Sequence, residues 1–208
     1  GVGLYRTEFL FLQRNELPGE EEQFLAYRDA VLGMSGRPVT IRTLDLGADK
    51  ADRTGLVLGN EENPALGLRG VRLSLVHGDL FDTQLRAIVR ASGYGPVRVL
   101  VPMISNREEV VAVRKRLKRV ADKLRKQGAE VADDIPIGAM IEVPAAAIAL
   151  HAFVDLVDFL SIGTNDLVQY LLAADRNNEA LGELYSPLNP GVVRLLKHII
   201  NVANEHQT

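Results

Sequence analysis

The stretch PIGAMIEVPAAAIALHAFVDLVDFLSIGTND, residues 136–166, contains one pattern twice. An apolar run of strand length, Pro136–Ile141, stops at an acid, Glu142, and passes through a proline into a helix-like segment, Ala145–Ala152. A second run, Val157–Ile162, stops at Gly163-Thr164-Asn165-Asp166 and leads into another helical segment, Leu167–Ala174. Short runs without polar alternation suit strands buried on both faces, and helical connections between them make such strands parallel.

Three further runs extend the pattern towards the N-terminus: Val2–Tyr5, Pro38–Leu44 and Val97–Pro102. Helical segments are predicted over Gly19–Leu32, Phe81–Ala91, Glu108–Lys126 and Gly191–Glu205, with a short piece near Ala65–Leu75. Alternating strands and helices specify an α/β protein, either a doubly wound sheet or a (β/α) barrel, and periodicity does not choose between them. The polar residues do. Arg6, Arg42, Asp45, Glu142, Asn165 and Asp166 all stand where an apolar run ends, which describes a shared rim. Barrels assemble their sites from the C-terminal ends of several strands, so the expectation is a (β/α)8 TIM barrel. Five strands do not close one, and a barrel takes about 250 residues. The chain is therefore expected to be one partial barrel domain over residues 1–208, truncated or cleaved from something longer.

Composition narrows the functions. The chain has 208 residues, a net charge of −3 and no cysteine, so disulfides, thiolate metal sites and a cysteine nucleophile are excluded from it. A pI near 5.9 argues against general nucleic-acid binding, and no apolar stretch reaches the ~18 residues of a membrane span. A cytoplasmic location is expected. The basic run EEVVAVRKRLKRVADKLRK, residues 108–126, places Val110, Val113, Leu117, Val120 and Leu124 on one helical face. Its charges are read as the solvated side of a packed helix.

Glu142 and Asp166 would converge if their strands are neighbours, and two such carboxylates need a cation. Oxygen ligands favour magnesium or manganese, with remaining positions left to water and substrate. The alternative is that Asp166 caps the helix expected from Leu167. Arg6, Arg42, Arg69, Arg72 and Arg176 supply guanidinium forks that match carboxylate and phosphate, and beside two acids they describe a site for a small anion carrying both groups. Asn165 can donate to a phosphoryl oxygen, and Gly163 lets a ligand approach the backbone donors opening the next helix. Nucleotide-binding glycine motifs and paired metal-binding histidines are missing, and His77, His151, His198 and His206 are scattered.

These segments together resemble the enzyme I family of phosphoenolpyruvate-protein phosphotransferases. GVGLYRTEFLF, EEEQFLAYRDAV, PVTIRTLDLGADK, ENPALGLRGVRL, QLRAIVRASGYG, VLVPMI, IGAMIEVPAAA, VDFLSIGTNDLVQYLLAADRNNE and LYSPLNPGVVRLL occur in that family's order and spacing. The resemblance implies a phosphoenolpyruvate/pyruvate-type barrel, of which this chain would hold strands two to six. It implies Glu142 and Asp166 as magnesium ligands, Asn165 as a phosphate donor, and Arg6, Arg42, Arg69 and Arg176 as anion clamps. Asp45 and Lys50 would support them.

The implied reaction moves the phosphoryl group of phosphoenolpyruvate to a histidine and then to a phosphocarrier protein for sugar uptake, in a homodimer. The family's phosphohistidine domain and its proton-donating cysteine lie outside these 208 residues, so no catalytic residue is expected in the fragment and turnover by it alone is not. Two rivals are the barrel of pyruvate phosphate dikinase or phosphoenolpyruvate synthase, and a non-catalytic binding or oligomerisation module.

Overall fold

Each of the five apolar runs becomes a strand within two or three residues of its expected bounds: β1 Val2–Arg6, β2 Val39–Arg42, β3 Val97–Val101, β4 Ile137–Ile141 and β5 Phe159–Ile162. The structure is a computed structural model describing residues 2–12, 16–47 and 61–208. The helices are α1 Glu20–Gly33, α2 Val71–Val76, α3 Gly78–Ala91, α4 Arg107–Lys126, α5 Pro144–Ile148, α6 Thr164–Leu172 and α7 Pro190–His206.

The strands form a single sheet in the order β1-β2-β3-β4-β5, and every pair is parallel. A doubly wound sheet reverses direction at a switch point, and this one does not. Right-handed crossovers that always step the same way lay their helices on one face. The result is a curled sheet, an arc of barrel wall backed by helices. Val39, Ile41, Val97, Val99, Val101, Ile137, Ala139 and Ile141 turn towards the helices and pack with Tyr27, Phe81, Leu85 and Ile88 in the main core. Residues one step out of phase, among them Arg42, Leu100 and Met140, share the opposite face, because a strand's side chains alternate. Register carries this across the sheet: Arg6 is level with Arg42, Arg42 with Leu100, and Met140 with Ser161.

α4 shows how local chemistry sets an element. Asn106 accepts a hydrogen bond from the Glu109 amide while the Glu109 carboxylate returns one from the Asn106 amide, a reciprocal cap that satisfies two free N–H groups. Val110, Val113, Leu117, Val120 and Leu124 are buried as the sequence predicts. Two expectations need correction. The segment predicted as one helix over 145–152 is a short α-helix followed by a 3-10 turn at Leu150–Ala152. The helix expected from Leu167 begins at Thr164, because Gly163 is its cap and accepts the Leu167 amide at 3.0 Å. No helix among the described residues is long and apolar enough to cross a membrane.

Candidate functional site

Parallel strands end together, so the residues after β1, β2, β4 and β5 meet at one rim. Arg69 occupies its centre. It sits between the 3-10 turn Pro64–Leu66 and α2, in a loop braced by the Glu61 carboxylate, which accepts the Leu68 amide at 2.9 Å. Its Nη2 donates to both carboxylate oxygens of Asp45 at 3.0 Å. Its Nη1 reaches Asp166 Oδ1 at 3.3 Å and the Tyr170 hydroxyl at 3.2 Å. Burial works against the charge, but Asp45 and Asp166 outweigh it and raise the guanidinium pKa. One arginine thus ties the loop after β2 to the helix after β5.

Arg42 closes the other side. It lies 3.2 Å from Glu8 and 3.4 Å from Asp45, while Glu8 also accepts the Asp45 amide at 3.0 Å. Arg42 Nε is buried without a hydrogen-bond partner among the described residues, in the middle of this charged cluster. Such a donor costs free energy until an acceptor reaches it. Arg176 approaches Asp166 at 3.3 Å from the far side of α6.

Glu142 is 1% exposed at the tip of β4. Its Oε1 accepts the Met103 amide at 2.7 Å, and Met103 holds a left-handed conformation, φ 62°. Gly163 leaves room for the carboxylate, since a Cβ there would lie 2.5 Å from Glu142 Oε2. Burial, followed by repulsion from Asp45 and, more weakly, from Asp166, pushes the carboxyl up to about 8 despite the Met103 amide and Arg69. The three acids therefore feel one another, and among the described residues the buried part of the rim holds more carboxyl groups than guanidinium groups. Among the described residues no group of three or more acidic, histidine or cysteine side chains forms a metal cage. Glu142 and Asp166 are linked electrostatically, since Asp166 is among the charges that raise the Glu142 carboxyl.

Arg6 is brought level with Arg42 by register but is exposed, and its side chain makes no ion pair or hydrogen bond among the described residues. Asn165 is also exposed; its backbone carbonyl accepts the Tyr185 hydroxyl at 3.0 Å, and its side-chain amide has no hydrogen-bond partner among the described residues. Asp166 does not cap its helix: it lies in the first turn with both oxygens turned to arginines. Arg72, grouped with Arg69 in the sequence, points away and donates to the carbonyls of Leu66 and Gly67. Lys50 lies outside the described residues. Glu8, Tyr170 and Met103 escaped the sequence reading; Glu8 alone carried a signal, as a second charge beside Arg6 after an apolar run. A cleft of about 810 Å³ opens beside the cluster, lined by Asp45, Asn63, Arg69, Tyr170 and Arg176. A second cleft, about 490 Å³, lies between α4 and the start of β4, away from the rim.

Comparison with known proteins bears on the family of the chain. Phosphoenolpyruvate-protein phosphotransferases from Geobacillus stearothermophilus, Listeria monocytogenes and Cupriavidus necator are each 50% identical over 204 to 206 residues, covering 98% of this chain. The chain spans only 35 to 36% of the length of those relatives. A solved citrate lyase from Burkholderia xenovorans LB400 superposes with a TM-score of 0.48 at 18% identity, over 92% of this chain and 60% of that one. The model of the PEP-utilising enzyme PEP-binding domain matches residues 1–208. The chain belongs to that family of phosphoenolpyruvate-binding domains.

Proposed function

We propose that the rim is the phosphoenolpyruvate site of a phosphotransferase, and that the chain is the substrate-binding part of a complete eight-stranded barrel. One observation carries the reading. Among the described residues, Arg69 holds acids from two strand ends in a buried cluster with more carboxyl groups than guanidinium groups, beside an arginine whose Nε has no acceptor. A ligand bearing phosphate and carboxylate, together with a divalent cation, answers both deficits.

In this reading Arg42, Arg69 and Arg176 bind and orient the anion, and Arg6 and Asn165, free at the rim, complete its hydrogen bonds. Asp45 holds Arg42 and Arg69 in place, with Lys50 in a supporting role. Glu142 and Asp166 hold magnesium or manganese, which when bound neutralises charge developing on phosphoryl oxygens. A loose phosphoryl transition state asks for such positioning and charge, with little covalent help. The acceptor histidine, the phosphocarrier protein, the homodimer and the role in cytoplasmic sugar uptake belong to the whole protein of which the relatives are examples.

The test is manganese relaxation and calorimetry on the chain, with phosphoenolpyruvate and pyruvate as ligands. Phosphoenolpyruvate should tighten manganese binding at least tenfold, and Glu142→Ala should remove the effect. Binding that ignores the metal and survives Glu142→Ala, or no metal-dependent binding at millimolar ligand, defeats the site.

A further inference from the structure

The loop after β2 carries Asp45, yet it is strand-paired only as far as Thr43, whose amide reaches the Leu100 carbonyl at 2.9 Å. The next amide, of Leu44, is buried, and its hydrogen bond goes to a side chain: Gln84 Oε1 of α3, at 2.9 Å. Gln84 is itself 2% exposed and part of a longer chain. Its Nε2 donates to the Tyr27 hydroxyl at 3.2 Å, that hydroxyl donates to Gln23 Oε1 at 3.1 Å, and Gln23 Nε2 donates to the Pro18 carbonyl at 2.9 Å. Gln23 and Tyr27 belong to α1 and are fully buried.

The polarity of this chain is set from its far end. A carbonyl such as that of Pro18 only accepts, so Gln23 must turn its amide nitrogen there and offer oxygen to Tyr27. The Tyr27 hydroxyl then spends its proton on Gln23 and accepts from Gln84. Gln84 is left with its oxygen facing Leu44, the orientation that a backbone donor requires. Hydrophobic packing alone would ask for none of these groups, and each unsatisfied member would carry a desolvation cost. The peptide so fixed, Thr43–Leu44, lies one residue ahead of Asp45, whose own amide goes to Glu8 Oε1 at 3.0 Å and whose carboxylate holds Arg69 at 3.0 Å and Arg42 at 3.4 Å.

We propose that Gln84 is a positioning residue for the phosphoenolpyruvate site: through the Leu44 amide it fixes Asp45, and through Asp45 it fixes the Arg69 fork. This rests on the reading of the rim given above. It makes the buried interface of α1 and α3, which touches no ligand, a determinant of affinity.

The experiment compares Gln84→Leu, which keeps the volume and removes the acceptor, with Gln84→Glu, which keeps an acceptor for Leu44. Val120→Ala in α4, remote from the rim, serves as a control for general loss of stability. Nuclear magnetic resonance of the whole chain reads amide exchange at Leu44, the Asp45 amide shift and the Arg69 Nε–H resonance, which lies 3.3 Å from Asp45 Oδ1. Gln84→Leu should speed Leu44 exchange at least a hundredfold, move the Arg69 resonance and weaken metal-dependent phosphoenolpyruvate binding at least tenfold. Gln84→Glu should stay within threefold of the parent in affinity, and Val120→Ala should leave the Arg69 resonance in place. An Arg69 resonance that stays put in Gln84→Leu, or moves equally in Val120→Ala, overturns the assignment whether or not ligand binds. Failure of the parent chain to bind phosphoenolpyruvate would instead count against the site, with the resonance arm still deciding the role of Gln84.

Discussion

The rim and the outer face of α4 are built from the same ionic side chains and have opposite energetics. At the rim, the side chains of Arg42, Arg69, Glu8, Asp45 and Asp166 are 5 to 13% exposed and share partners, so each charge depends on several others. On α4, Lys118 and Asp122 pair at 3.0 Å with side chains 77% and 43% exposed, and water replaces either partner at little cost. Charge density alone therefore says little about function. Seclusion from water separates a site from a solubilising surface.

Removing the rim's central cation should break the comparison most visibly. Arg69→Met leaves Asp45 only Arg42 and Asp166 only the more exposed Arg176, and the loss expected is up to the roughly 3–5 kcal/mol of a broken buried pair. Urea unfolding checks it; a loss under about 1 kcal/mol would mean that water reaches these acids freely. Glu8→Ala should come next, at about 1–3 kcal/mol, because it leaves the Asp45 amide without its acceptor and Arg42 with one partner fewer. Paired melts of the Glu8→Ala and Asp45→Asn single and double variants should show non-additivity.

An intermediate case sharpens the scale. Glu20 bridges α1 to Arg86 and Arg90 of α3. Burial is the largest single influence and raises its pKa, but the hydrogen bonds and charges of the two arginines together more than reverse it, leaving it lowered. A depressed carboxyl stabilises the fold above the unfolded pKa, about 4.3, and loses that contribution as pH falls through the folded value. The bridge is partly solvated, so Glu20→Gln should cost about 1 kcal/mol or less at pH 7, and the gap should close in melts near pH 3. Lys118→Ala should fall within about 0.5 kcal/mol at either pH, and a larger loss would contradict the reading of α4 as a solvated face.

Much of this architecture was readable from the chain because it is written locally. A parallel strand buried on both faces must be apolar, so β4 announced itself outright and β2 and β3 did so despite Thr40 and the exposed Arg98, and the α4 face followed from helical spacing. The ends of the runs marked the rim for the same reason, since polar residues appear where burial stops. What stayed hidden depends on contacts between distant segments. Nothing near Gln84 says that its amide will meet Leu44, 40 positions away, and nothing near Tyr170 says that its hydroxyl will meet Ala65 and Arg69. Arg69 and Arg72 look equivalent three residues apart, and only the turn at Gly70, φ 57°, sends one to the acids and the other to loop carbonyls.

The monotonic strand order has a kinetic consequence. Each strand pairs with its immediate predecessor in the chain, so every pairing closes a single crossover, and none waits for a remote segment. Loop-closure entropy is then met in instalments, and the sheet can lengthen by accretion from any nucleated pair. A sheet laid down in this way tolerates delay at its margin, because each later strand finds its template already standing.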